Sequence, residues 1–199
     1  MKVIKLKTRP NTYSGNTYLV LGSWNALNDV NTVIDSGIDD FLISQIELVN
    51  TGVGKKKVDK VFLTHTHFDH AGGVDALKRA YTPIVYAGTS SLGIDKLLKD
   101  NEIFIMGDKY FEAIKTPGHS SDSFCFYCKE ERVLFSGDTN LQINSGGGVY
   151  EPEFLESLQK LAKLKISVIY PGHGDSITAS TEEMIKKTIR IVKESLKQK

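Results

Sequence analysis

The segment Thr64–His70, T-H-T-H-F-D-H, restricts this chain more than any other feature. It stands at the end of the apolar, strand-like run V-F-L-T and brings His65, His67 and His70 within six residues. A single histidine is more often a core or surface residue than a ligand. Three around an aspartate are hard to explain by packing, because they repel one another when protonated and are costly to bury without partners. Along a continued strand His65 and His67 share a face and His70 points away. A loop followed by the first turn of a helix removes that restriction, and Ala71-Gly72-Gly73 lets the backbone turn sharply there. Imidazole and carboxylate suit zinc, and also iron or manganese.

The remaining two of the five histidines sit in similar surroundings. His119 lies in T-P-G-H-S after the strand-like F-E-A-I-K, and His173 in Y-P-G-H-G after S-V-I-Y. Asp138 lies in F-S-G-D-T at the end of R-V-L-F-S. Four strands thus each present a candidate ligand at the C-terminal end, which predicts a binding site at one rim of a sheet sandwich.

The periodicity supplies such a sandwich. Short strands are expected at Val3–Lys7, Asn16–Leu21, Asn31–Asp35, Asp59–Thr64 and Pro83–Tyr86, with helices at Asp39–Asn50 and His70–Tyr81. A second half repeats the order. Its strands are Glu102–Met106, Tyr110–Lys115, Ser123–Cys128, Arg132–Ser136 and Ser167–Tyr170, and its helices Pro152–Leu164 and Ser180–Lys197. Lys129–Glu131 reads as a hairpin turn. No low-complexity linker divides the 199 residues, which are expected to form one domain over 1–199. Strands followed by helices in two halves suggest two packed sheets with helices outside, an α/β (α+β) architecture.

The formal net charge of +1 and the scattered lysines give no reason to expect nucleic acid or an anionic membrane as partner. The opening M-K-V-I-K-L-K-T-R-P has no apolar core of a signal peptide, and no stretch approaches the roughly 20 apolar residues of a membrane span. The expected location is the cytoplasm and the expected partner a small-molecule substrate, with oligomeric state left open. Cys125 and Cys128 form a C-x-x-C, but on a strand positions i and i+3 face opposite ways. They are therefore expected to be packing residues, not a redox pair or half of a zinc site.

T-H-T-H-F-D-H-A-G-G, P-G-H-S, G-D-T and P-G-H-G, preceded by N-T-Y-L-V and V-I-D-S-G, resemble the metallo-β-lactamase superfamily over residues 16–174. The resemblance implies a four-layer αββα sandwich with the metals at one edge. It implies a first metal site of His65, His67 and His119, a second of Asp69, His70 and His173, and Asp138 as bridge. Asp69 and Asp138 count as catalytic as well as ligating. Asp35, in V-I-D-S-G, matches an aspartate that supports the metal loop from behind. The expected cofactors are two zinc ions, with iron or manganese as alternatives. Two divalent ions carry four positive charges, and Asp69, Asp138 and a hydroxide remove three. The net positive charge left over favours a polarised carbonyl substrate.

Within that superfamily the motifs point to a glyoxalase II-like hydrolase of a small thioester, ester or lactone. The short stretch after His173 makes a glutathione thioester a poor expectation. The main alternative is a mononuclear iron persulfide dioxygenase using His65, His119 and Asp138. A non-enzymatic binding scaffold is a further alternative, weakened because every ligand position is filled. The expected substrate walls are the loops Arg9–Gly15, Gly22–Asn28 and Asn140–Tyr150, with Trp24 and Tyr150 as apolar contacts and Gly146-Gly147-Gly148 as a lid or a loose connection.

Overall fold

The computed structural model describes residues 1–146 and 148–197; Gly147, part of the expected lid, lies outside the described residues. The strands are β1 (Lys2–Lys5), β2 (Tyr18–Leu21), β3 (Thr32–Ile34), β4 (Lys60–Phe62), β5 (Ile84–Ala87), β6 (Lys96–Leu97), β7 (Glu102–Met106), β8 (Lys109–Lys115), β9 (Phe124–Cys128), β10 (Val133–Gly137) and β11 (Val168–Pro171). The helices are α1 (Phe41–Glu47), α2 (Phe68–Ala71), α3 (Val74–Tyr81), α4 (Pro152–Leu161) and α5 (Thr181–Leu196). One sheet has the order β1-β2-β3-β4-β5-β6, the other β11-β10-β9-β8-β7.

Alternation along the strands produces the expected four layers. Between the sheets lie Val20, Ile34, Phe62 and Tyr86 from one side and Phe111, Phe126, Cys128 and Phe135 from the other. The opposite face of the first sheet, with Leu19, Val33, Val61 and Val85, buries Ile46 of α1 and Leu77 of α3. The opposite face of the second, with Ile114, Cys125, Tyr127 and Leu134, buries Leu158 and Leu161 of α4 and Ile185 and Val192 of α5. Each buried side chain of this size contributes about 1.5–3 kcal/mol. Cys125 and Cys128 lie in different layers, as the strand-face argument requires.

Strand direction positions the site. β3 and β4 are parallel. β10 and β11 are parallel, and β8 lies two antiparallel steps from β10, so it runs the same way. The C-terminal ends of β3, β4, β8, β10 and β11 therefore share one rim, and the segments that follow them carry Asp35, the His65–His70 loop, His119, Asp138 and His173.

Two expectations need correction, and one strand was not expected at all. The helix expected at His70–Tyr81 is two helices broken at Gly72-Gly73. Neither glycine uses left-handed backbone, with φ of −63° and −85°. Each is a glycine because the 36–38 loop crosses so closely: a Cβ on Gly72 would lie 2.4 Å from the Ile38 carbonyl oxygen, and one on Gly73 2.4 Å from that of Ser36. The loop Gly22–Asn28 does not line the site. β2 runs antiparallel to β3, so the chain leaving Leu21 emerges at the rim opposite Asp35, where Trp24 is 91% exposed. The edge strand β6, only two residues long, carries no alternation and is not legible in the sequence.

No described helix is long and apolar enough to cross a membrane.

Candidate metal centre

All seven expected donors converge. His65 leaves β4 through Leu63-Thr64; His67 caps α2 in extended conformation; Asp69 and His70 lie in its first turn. A donor triad of His65, His67 and His119 forms on one side, with His67 Nδ1 3.1 Å from His65 Nε2 and 2.9 Å from His119 Nε2. A second triad, Asp69, His70 and His173, forms beside it, with His173 Nε2 3.3 Å from His70 Nε2 and 3.1 Å from Asp69 Oδ2. Asp138 faces both: Oδ2 is 3.6 Å from His119 Nε2 and 3.5 Å from His173 Nε2, and Oδ1 is 3.3 Å from His70 Nε2. Ligand bonds of about 2.0–2.1 Å around a tetrahedral ion put neighbouring donors about 3.3 Å apart. Either triad could hold a metal ion.

One atom tests that fit independently. Asp138 Oδ1 is buried and has no hydrogen-bond partner among the described residues, despite His70 Nε2 at 3.3 Å. A buried carboxylate oxygen left in this way calls for a polar or charged partner, and a cation held between the donors would supply one. The donors are N and O, the set suited to zinc, iron or manganese.

The supporting contacts fix which nitrogens face the centre. Asp35 is 2% exposed. Its Oδ1 accepts the Thr64 backbone N–H at 2.7 Å, and its Oδ2 the Thr64 hydroxyl at 2.8 Å; Oδ2 also lies 2.8 Å from His70 Nδ1. With Nδ1–H donating to Asp35, His70 turns Nε2 inward, where a bound ion would take the place of the Nε2 proton. The Asp35 backbone is left-handed, at φ 56°, a conformation that Asp and Asn tolerate better than most residues. Behind it, the Ser36 N–H and hydroxyl donate to the His70 carbonyl at 2.6 and 3.0 Å, clasping α2 to the end of β3.

The protein groups themselves set the charge on each donor. Burial pushes the His65 pKa down to about 4, keeping a neutral imidazole. Burial lowers His119 as well. Burial opposes a charged His70 too, but the Asp35 and Asp138 carboxylates override it and hold His70 up to about 10. Burial likewise opposes the Asp138 carboxylate, yet the nearby His70, followed by His173 and His65, brings it down to about 2.

Several contributors were not legible. Asp122, 7% exposed, accepts the Thr66 N–H at 3.0 Å and hydroxyl at 2.7 Å, and the Ser120 hydroxyl at 2.7 Å. It thus ties the His65–His67 loop to the His119 loop across the two sheets. Tyr13 stacks on His173, ring centroids 5.0 Å apart, with its hydroxyl 3.4 Å from Nε2. Asn16 Nδ2 and the Tyr18 hydroxyl donate to the Pro171 carbonyl at 2.9 and 2.7 Å, holding the His173 turn. The only signal for Asp122 is its place in P-G-H-S-S-D; Tyr13 falls in a loop expected to line the site and Asn16 opens an expected strand, neither with a specific role.

Two recesses open on the cluster, and His119, Asp138 and Asn140 line both. One, of about 480 Å³, continues past Thr139, Gln142 and Asp175. The other, of about 190 Å³, continues past Ile143, Val149, Tyr150 and Phe154. Asn140, Leu141, Gln142, Ile143, Val149 and Tyr150 of the expected wall are therefore at the site.

The profile of the family described as "Metallo-beta-lactamase superfamily" matches residues 10–173. The chain is 32% identical over 148 residues to an atrochrysone carboxyl ACP thioesterase of Aspergillus fumigatus, covering 71% of this chain and 46% of that protein. It is 41% identical over 125 residues to thioesterase pkgB of Emericella nidulans, covering 60% and 35%. The chain thus spans less than half the length of either relative. Its fold is similar to that of a metallo-beta-lactamase family protein from Thermus thermophilus, with a TM-score of 0.73, 19% identity, and 99% and 80% of the two chains covered. With the profile matched from the Tyr13 loop to His173, the chain belongs to the metallo-beta-lactamase superfamily.

Proposed function

We propose that this chain is a metal-dependent hydrolase that holds two zinc ions and cleaves a small thioester, ester or lactone. The observation that carries the reading is the pair of donor triads with Asp138 facing both. In this reading His65, His67 and His119 would hold one ion and Asp69, His70 and His173 the other, with Asp138 facing both. Bound ions of this kind lower the pKa of a coordinated water to about 7 and polarise a carbonyl oxygen. The chain's own groups do the rest. Burial keeps His65 neutral, and Asp35 holds His70 in the tautomer that leaves Nε2 free. Asp138 and Asp69 offset part of the cationic charge while leaving the site attractive to a carbonyl dipole. Asp122 keeps the His65–His67 and His119 loops in register, so that substrate meets a preformed site. Two similar proteins are described as thioesterases, which supports a thioester as the first substrate class to test.

The test is elemental analysis of protein purified without added metal, joined to anaerobic assay on S-acetyl-N-acetylcysteamine. About two zinc ions per chain with oxygen-independent hydrolysis is the expected result. One iron per chain, with oxygen consumed on adding glutathione persulfide, overturns the proposal in favour of a persulfide dioxygenase. Metal without turnover of thioesters, esters or lactones leaves a binding scaffold.

A further inference from the structure

The two recesses that share His119, Asp138 and Asn140 differ in chemistry. The larger carries Thr139, Gln142 and Asp175 and stays open to water beside the exposed Asp175. The smaller is walled by Ile143 and Phe154, both almost fully buried, with Tyr150 stacked on Phe154 at a 5.7 Å centroid separation, and with Val149 and the exposed Glu151 at its lip. Phe154 is pressed against the His119 turn: a Cβ on Gly118, at φ +147°, would lie 2.5 Å from its ring. The apolar floor is thus fixed to a ligand-bearing loop, and its distance from the cluster is set by packing.

A carbonyl compound held at His119 and Asp138 has two substituents and two places to put them. The leaving sulfur or oxygen develops negative charge and needs donors and water, which the Thr139–Gln142 recess offers. The acyl substituent stays uncharged at its far end and gains from desolvation, which the Ile143–Phe154 recess offers. Size then limits the acyl group. An apolar cavity of about 150 Å³ holds benzene. A recess of about 190 Å³ takes one ring, or a compact chain of similar bulk, within its walls and leaves a second fused ring outside them.

Resting on the hydrolase reading, we propose that the Ile143–Phe154 recess is the acyl subsite, selecting a single-ring or similarly compact acyl group. The polar recess receives the thiol or alcohol.

The test uses zinc-loaded full-length protein and N-acetylcysteamine thioesters of acetate, benzoate and 2-naphthoate. Burial of one ring predicts a kcat/KM for the benzoyl thioester about 10- to 100-fold above the acetyl one. The naphthoyl thioester should fall at least tenfold below the benzoyl. Ile143→Phe should shrink the benzoyl-to-acetyl ratio, and Phe154→Leu should raise naphthoyl relative to benzoyl. A flat series, or variants that move all three thioesters equally, overturns the proposal. A second readout stands apart from turnover: 19F NMR line broadening of 4-fluorobenzoate, displaced by benzoate but not by 2-naphthoate. If no thioester is cleaved, the hydrolase reading fails and this binding decides the subsite. Broadening in the wild type that Ile143→Phe weakens supports it, and none at millimolar ligand overturns it.

Discussion

Asp35→Asn is the sharpest perturbation available, because it removes a charge with little change in shape. The Asp35 carboxylate accepts two hydrogen bonds from Thr64, at 2.7 and 2.8 Å, and stands 2.8 Å from His70 Nδ1. Asparagine keeps one oxygen for the Thr64 N–H and tolerates the left-handed backbone at φ 56°. The Thr64 hydroxyl can rotate to accept from the new amide. His70 has no such freedom. Facing an N–H donor, its Nδ1 must accept, so the proton moves to Nε2, the atom 3.3 Å from both His173 Nε2 and Asp138 Oδ1. A protonated Nε2 cannot ligate. Loss of a supporting contact of this kind costs about 10- to 100-fold in metal affinity, or about 1.4–2.7 kcal/mol. Competition with a chromophoric chelator reads the affinity of each ion, and thermal unfolding monitored by circular dichroism reads the fold. One weakened ion and a near-normal unfolding curve are expected. Asp35→Ala differs in kind: it strands the buried Thr64 N–H, at a cost of about 1–3 kcal/mol, and places alanine in left-handed backbone, at about 1–2 kcal/mol. Wild-type zinc retention in Asp35→Asn would refute the tautomer argument, and equal destabilisation in both variants would reassign Asp35 to the scaffold.

Gly172→Ala should strip metal from a folded protein. Its Cβ would fall 2.1 Å from Asp138 Oδ1 and 2.8 Å from His70 Cε1, displacing the donor that faces both triads, and elemental analysis of the purified variant checks it. Asp122→Ala should loosen the His65–His67–His119 triad, because the Thr66 and Ser120 contacts vanish together; a lower zinc content with little change in thermal stability is the expected readout. The double variant Cys125→Ser and Cys128→Ser should retain its metal and its hydrolysis. Denaturant unfolding should show a loss of about 1–3 kcal/mol, mainly from a hydroxyl placed at 128 between the sheets.

The donors themselves were legible in the sequence. Histidine and aspartate at strand ends have few reasons to recur, and the five histidines and Asp138 stand in that pattern without help from three dimensions; Asp69 joined them through the family resemblance. Strands followed by helices in two halves likewise marked two packed sheets, and the strand period put Cys125 and Cys128 on opposite faces. These inferences use distances of a few residues, over which strand period and ligand chemistry are local properties. Tertiary structure decided what depends on the direction and approach of distant segments. Trp24 stands at the far rim because β2 runs against β3, a matter of pairing that local sequence does not encode. Gly72 and Gly73 break a helix because another loop crosses them, not because the chain must turn left-handed. Asp122 and Tyr13 support the donors from loops far away along the chain, through contacts that neither period nor motif reveals. The recess at Ile143 and Phe154 exists only where α4 packs against the His119 turn, since a cavity is the space left when separate elements meet.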